Sequence, residues 1–331
     1  MALTDGIKDK LKNIANAIRS KTNKSEEMTP EQMASEVEGI DTLQGLDFGS
    51  IYDKEQADEL NQYYKNGITY AEEIKRNWNE NWTNANNLFA RDEKLIYFPI
   101  VPMGNVLSMA ATFTRCINLR KIIIYAPKCL TVASMCLYSD VVDVDITVKN
   151  GCDFSSFAYF GDIKKLKIHL LKENNEDKLK ISFNCIAYAC DGLKGEDFII
   201  NNNSEDVIVT DLYYAFSMCF ALREINFVMD LSELGTTGNP KNSTTAAFSN
   251  CLELQYIRIK NWKKYNLQFP QSSKLSAESI HYIIQNAMNV EDGAEEGRTL
   301  TLHATAKTNW QNSEYYEQDL AVLSTKGITI A

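Results

Sequence analysis

The stretch Phe248-Ser249-Asn250-Cys251-Leu252-Glu253-Leu254-Gln255-Tyr256-Ile257-Arg258-Ile259 sets the reading of the chain. Its apolar residues follow F-x-x-C-x-x-L-x-x-I-x-I. The same spacing recurs at Phe216, Cys219, Leu222, Ile225 and Phe227, and at Phe113, Cys116, Leu119, Ile122 and Ile124. Looser copies align as Phe89, Asp92, Leu95, Phe98, Ile100; as Met135, Tyr138, Val141, Val144, Ile146; and as Phe157, Phe160, Ile163, Leu166, Ile168. A weak copy runs through Ala187, Cys190, Leu193 and Phe198. The leading positions are spaced by 24, 22, 22, 30, 29 and 32 residues.

Positions i, i+3 and i+6 share one face of a helical turn, and the I-x-I that follows shares one face of a strand. Each copy is therefore a turn that feeds a short strand. No copy can bury its apolar face alone, so neighbours must stack. This period with an L-x-x-I-x-I strand predicts a leucine-rich-repeat solenoid. The expected fold class is an α/β repeat: an N-terminal helical segment over residues 1–41, a helical linker over 42–84, the solenoid over 85–270 and a small α/β cap over 271–331.

The chain has 331 residues and a formal net charge of −10. That acidity speaks against nucleic acid as a partner, because phosphate contacts need a basic surface. No apolar run reaches membrane-span length, and the first residues lack a signal-peptide core. The expectation is a protein made in a cytosol, with no membrane insertion. Of eight cysteines, Cys116, Cys190, Cys219 and Cys251 share one template position. They read as a buried ladder of small apolar groups, with disulfides or metal as the alternative.

Along the chain, Ile7, Leu11, Ile14 and Ile18 form an amphipathic stripe that is also an a/d seam of about two heptads. It is a candidate for self-association or anchoring, against simple intramolecular packing. Thr29, Pro30 and Gln32 provide an N-cap, an N1 proline and a capping box for a second helix. Helices are expected over 53–65 and 69–78, broken at Asn66-Gly67. Lys172–Leu179 and Ser232–Thr244 read as inserted surface loops. A helix from Ser276, a strand over 299–303, a helix around 309–324 and a strand at Ile328–Ile330 complete the cap.

Two stretches carry a family resemblance. Ile14-Ala-Asn-Ala-Ile-Arg-Ser-Lys-Thr-Asn-Lys, with Met28-Thr-Pro-Glu-Gln-Met-Ala-Ser-Glu-Val-Glu-Gly-Ile, resembles the N-terminal segment of bacteriophage fibre and baseplate proteins (IADAIRAKTG…MTLEQMASEIEGI). Asn23 stands where that pattern has glycine. The end of the chain, Leu300-Thr-Leu-His-Ala-Thr-Ala-Lys307, is similar to the end of the same proteins, and residues 85–270 resemble surface repeats of the BspA type. The resemblance implies a structural virion protein, a tail or head fibre or spike. Its expected partners are other virion proteins and copies of itself, as a dimer or trimer, with a host surface glycan or protein as target. The rivals are a phage depolymerase and a bacterial surface adhesin.

The residues offer no catalytic motif, no cofactor signature and no metal spacing around His169, His281 or His303. Asp140, Asp143 and Asp145 read as the exposed side of a strand rather than a calcium site. The candidate binding residues are aromatic: Trp262, Tyr265, Trp310, Tyr315 and Tyr316, against the reading that they close the core.

Overall fold

The computed structural model describes residues 54–174, 177–235, 244 and 246–331, with side chains from residue 65 onward. The predicted helices of residues 1–41 and the Ile7, Leu11, Ile14, Ile18 stripe lie outside the described residues. The chain divides into two units, Met1–Glu72 and Glu73–Ala331. Helix α1 (Lys54–Asn77) is continuous through Asn66-Gly67, where the sequence predicts a break. One helical glycine costs only about 1 kcal/mol, too little to interrupt 24 residues of otherwise helix-compatible chain.

From Trp78 onward the elements are parallel strands joined by turns. Strands β1 (Lys121–Ala126), β2 (Asp143–Lys149), β3 (Lys165–Leu171) and β5 (Phe198–Ile200) form one sheet in the order β1-β2-β3-β5. Strands β4 (Leu179–Ile181), β6 (Val207–Val209), β7 (Glu224–Asp230) and β8 (Tyr256–Lys260) form a second in the order β4-β6-β7-β8. Strands β9 (Leu267–Phe269), β10 (Arg298–Leu302) and β11 (Ile328–Ile330) form a third, with β10 central. Helices α2 (Ala277–Asn286), α3 (Ala304–Gln311) and α4 (Tyr316–Lys326) complete the C-terminal region.

This corrects the expected fold. A leucine-rich-repeat solenoid requires one strand row running through successive copies. The chain instead forms three separate parallel sheets with four α-helices among the described residues, and its class is α/β. The insertion after β3 is the physical cause of the first division. It carries β4 away from β3 to lie beside residues 150–151, where Gly151 N–H donates to Lys180 O at 3.1 Å and Lys180 N–H to Asn150 Oδ1 at 2.8 Å. Strand β3 then pairs with β5, in the register Leu166–Phe198 and Ile168–Ile200. The cap differs too, since Asn312–Tyr315 separate α3 from α4 where one helix is expected.

The template residues nevertheless make the core. Phe113, Cys116, Leu119, Phe216, Cys219, Leu222, Phe248, Cys251 and Leu254 have no exposure. Phenylalanines of successive copies stack: Phe89 on Phe113 at 5.9 Å, Phe216 on Phe248 at 5.9 Å, and Phe248 on Phe269 at 4.9 Å. The cysteine ladder is hydrogen-bonded. Cys116, Cys190, Cys219 and Cys251 each direct a thiol to a carbonyl of the preceding turn, on Phe89, Ala158, Ala187 and Phe216, at 3.0, 3.1, 2.9 and 3.1 Å. All eight cysteines are free and buried.

Two of the looser copies are out of register with this ladder. The sequence alignment puts Tyr138 and Phe160 on the cysteine position. In the structure that position belongs to Ser139, whose hydroxyl donates to Phe113 O, and to Gly161. The turns prove the register: Cys116, Ser139, Gly161, Cys190, Cys219 and Cys251 each donate their N–H to the residue three before. These two copies have one residue fewer between that position and the following apolar anchor, Val141 or Ile163. Tyr138 and Phe160 are thereby pushed outward, to 43% and 44% exposure.

Candidate functional site

The aromatic residues singled out in the sequence do not share a surface. Trp262 is fully buried: its indole N–H donates to Lys264 O and Tyr265 O, both at 2.9 Å, and the Arg298 guanidinium lies 5.0 Å from its ring. Arg298 is itself buried and donates to Trp262 O, Met288 O and Lys326 O, tying β10 to the chain around it. Trp310 is only 2% exposed and donates to Asp319 Oδ2 at 2.7 Å. Both tryptophans are therefore core residues, because each indole N–H found an internal acceptor. Tyr265 is half-buried against Gly235. Tyr316 meets Trp310 edge-on at 4.9 Å, and Tyr315 stacks on His281 at 4.4 Å. His281 Nδ1 is 2.8 Å from Asp319 Oδ1, which also accepts from Gln285 Nε2 at 2.8 Å. Asp319 has no exposure, so this constellation braces the packing of α2, α3 and α4.

The other sequence candidates are ordinary surface chemistry. Asp143 pairs with Lys121 at 3.2 Å, Asp145 with His169 at 3.2 Å and Asp140 with Arg120 at 3.5 Å. Among the described residues no three His, Cys, Asp or Glu side chains converge as a metal site, and no helix is long and apolar enough to cross a membrane.

A different aromatic surface is present, built by the stacked turns. Each turn carries two left-handed residues four apart: Ala111 and Arg115, Ser134 and Tyr138, Ser156 and Phe160, Cys185 and Ala189, Tyr214 and Met218. Non-glycine residues rarely adopt this conformation. Main-chain bonds from turn to turn hold it, such as Tyr138 N–H to Tyr159 O at 3.1 Å and Phe160 N–H to Tyr188 O at 2.9 Å. Side chains at equivalent positions of adjacent turns then lie one over the next. Tyr138 stacks on Phe160 with centroids 5.6 Å apart and planes 4° from parallel. Tyr159 stacks on Tyr188 at 4.6 Å and 12°. The two columns meet edge-on, with Tyr159 and Phe160 at 4.8 Å and 85°. Tyr214 extends the group at 5.7 Å from Tyr188, and Tyr213 lies 4.7 Å from Tyr214. At the other end the Arg115 guanidinium sits 5.5 Å from the Tyr138 ring.

Beside these turns lies a polar cleft of about 300 Å³. Single parallel bridges link Asn84 to Ser108, Ser108 to Thr131 and Thr131 to Asp153, and end there. Backbone bonding between the turns resumes on either side, at Gly151 N–H to Lys180 O and at Ser156 N–H to Asn184 O. The gap between these bonds is the cleft, with Asp153, Ser155, Lys180, Ser182, Asn184 and Asp211 on its walls. Short polar side chains open each turn here by accepting the N–H two residues on: Asp153 from Ser155 at 2.9 Å and Asp211 from Tyr213 at 2.8 Å. Asn184 Nδ2 donates to Asp211 Oδ2 at 3.1 Å. Burial pushes the Asp211 carboxyl upward, partly offset by the Tyr213 N–H and the Asn184 amide. Cys185, between the cleft and the rings, hydrogen-bonds Ser156 and feels the Asp211 charge; burial pushes its thiol up to about 11.

This surface escapes the repeat template, which aligns Tyr138 and Phe160 with a core position. The signal was available in the neighbours: Tyr159 and Tyr188 each stand two residues before the ladder position of their own turn. Comparison with known proteins finds no matching family, no matching curated protein and no matching solved structure.

Proposed function

We propose that this chain is a structural protein of a bacteriophage virion, a fibre or spike component, that attaches to the host surface by binding and not by catalysis. The observation that carries the binding reading is the outward aromatic group from Tyr138 to Tyr214, held on turns whose backbone is bonded to both neighbours. Exposed tyrosine and phenylalanine beside an arginine is the composition of binding hot spots, and rigid turns lower the ordering cost of association. The virion assignment rests on the phage-like segments near Ile14–Ile40 and Leu300–Lys307. In this reading Ile7, Leu11, Ile14 and Ile18 belong to the anchoring end, and other virion proteins and further copies of the chain are its partners. Repetition of the attachment surface over a particle would give tight adhesion from weak single sites.

Peptide mass analysis of purified particles, with antibody labelling under the electron microscope, tests the assignment. The expected result is the chain in particles, at a projecting structure, with purified protein competing for adsorption to host cells. Absence from particles would overturn it. Release of reducing sugar from host surface glycan by the purified protein would replace it with a depolymerase.

A further inference from the structure

We infer that the cleft between Asp153 and Asp211 is a carbohydrate subsite that takes one neutral or N-acetylated hexose of a surface glycan, flanked by the tyrosine group. This inference rests on the attachment reading above and names its ligand class.

Three features of the cleft and its surroundings converge. The first is shape. The cleft is a gap in an otherwise bonded stack of turns, so its walls are fixed by backbone hydrogen bonds at both ends. At about 300 Å³ it lies at the small end of ligand sites, which suits a single sugar ring rather than an extended chain.

The second is the hydrogen-bonding inventory. The walls carry two carboxylates, an amide and three hydroxyls, with Lys180 as the one cation. Asp153, which is partly exposed, can accept from sugar hydroxyls, and the amide and serine groups can both donate and accept. Asp211 has no exposure and both its oxygens are bonded internally, to the Tyr213 N–H and the Asn184 amide, so it holds Asn184 in place and adds charge behind the wall. Asp153 keeps an oxygen beyond the Ser155 contacts, at 3.4 Å from Thr131 Oγ1. The Lys180 ammonium is engaged by Glu233 outside the cleft. Negative charge therefore dominates the walls. A phosphate, a uronic acid or a sialic acid would meet two acids with a single, already paired cation, and is disfavoured. Neutral and N-acetylated sugars meet no such penalty.

The third is the aromatic group on the same turns, which lies outside the cleft's own walls. Asp211 and Tyr213 are joined by the bond that opens their turn, and Tyr159 and Tyr188 rise from the turns begun by Asp153 and Ser182. Rings mounted on the turns that carry the cleft offer C–H faces of adjoining sugars a surface while the hydroxyls of the sugar in the cleft reach Asp153. Main-chain strain at Tyr138, Phe160 and Tyr214, all left-handed, shows how firmly the stack fixes these rings.

The test uses the full chain on an array of glucose-, galactose- and N-acetylglucosamine-terminated oligosaccharides, printed beside sialic-acid- and uronic-acid-terminated ones. Calorimetric titration with the best neutral binder follows. The expected result is binding confined to neutral or N-acetylated termini. Asp153→Asn, which preserves the acceptor for the Ser155 N–H but removes the charge, should weaken it by about tenfold or more. Ser182→Phe, which fills the cleft from a half-exposed position, should abolish it. Unchanged near-ultraviolet circular dichroism separates either effect from misfolding. Binding confined to acidic termini, a blank array, or full affinity in both variants would overturn the inference. The two proposals fail separately: a chain found in particles but blank on the array loses only the sugar site, whereas a sugar-binding chain absent from particles loses only the virion assignment.

Discussion

Gly195→Ala should be among the most damaging single changes in the chain, although nothing in the sequence sets this glycine apart. Gly195 opens a short 3₁₀ turn, Gly195–Asp197, that leads into β5. A Cβ added there would stand 1.6 Å from Glu224 O and 2.4 Å from Glu224 C, where real contacts do not fall below 3.0 Å. The main chain at the start of β7 would have to retreat by well over 1 Å. It cannot do so freely, because Ile225 and Phe227 on one side and Leu193 and Phe198 on the other have no exposure. Overpacking a core usually costs about 1–3 kcal/mol, and a backbone clash between two fixed segments belongs above that range, at about 3–5 kcal/mol. For a unit of this size each kcal/mol lowers the melting temperature by about 2–4 °C, so a drop of about 10 °C is expected. Thermal unfolding followed by circular dichroism, with urea titration alongside, measures it. A melting temperature within about 2 °C of the parent would refute the close approach of these two segments.

Other outcomes follow from the same contacts. Native protein should react slowly with a thiol reagent at neutral pH and yield eight thiols once denatured, since burial pushes Cys190 and Cys251 up to about 12 and Cys116 up to about 11. Cys219→Ser should cost less than Cys219→Ala in urea titration, because Ser139 already makes the equivalent bond; the reverse order would count against the hydrogen-bonded ladder. Asp319→Ala should cost about 3 kcal/mol, read by the same titration, by stranding the Trp310 N–H and the His281 and Gln285 donors. Burial, the largest single influence on Asp230, pushes its carboxyl up, but the Ser232 N–H, the Asn261 amide, the Ser232 hydroxyl and the Lys260 charge together hold it below the usual value. Its contribution is then complete above the unfolded carboxylate range and lost as pH falls through the lower folded value, so Asp230→Asn should flatten the acid side of a stability-against-pH curve.

What could be read in advance follows from what a local pattern can encode. Phe248, Cys251, Leu254, Ile257 and Ile259 announce their turn and strand because their spacing reports which atoms face inward, and all five have no exposure. Sheet membership is not local. Whether β3 continues into β4 or β5 depends on where the loop after Leu171 returns the chain, and Asn150, some 30 residues earlier, captures β4 by bonding Lys180 N–H and Lys178 O. The aromatic surface was lost for a related reason. Aligning copies by their downstream strand placed Tyr138 and Phe160 on the ladder, although the ladder is set by the turn upstream. A shortened spacer moves every residue between those two anchors by one position, and at a turn one position is the difference between core and solvent. Trp262 and Trp310 show the converse. Of the two readings the sequence allows for them, binding rings or closure of the core, the second holds, because an indole with one donor is content in a core that offers a carbonyl or a carboxylate, and Tyr265 O and Asp319 supply them. The cleft had no sequence signature at all. Its Asp, Ser and Asn residues are the ordinary openers of turns, and they become a site only because the bridge row stops at Asp153. Function in a stack of turns therefore sits where the stacking is interrupted, since only there are polar groups left facing a space that a ligand can enter.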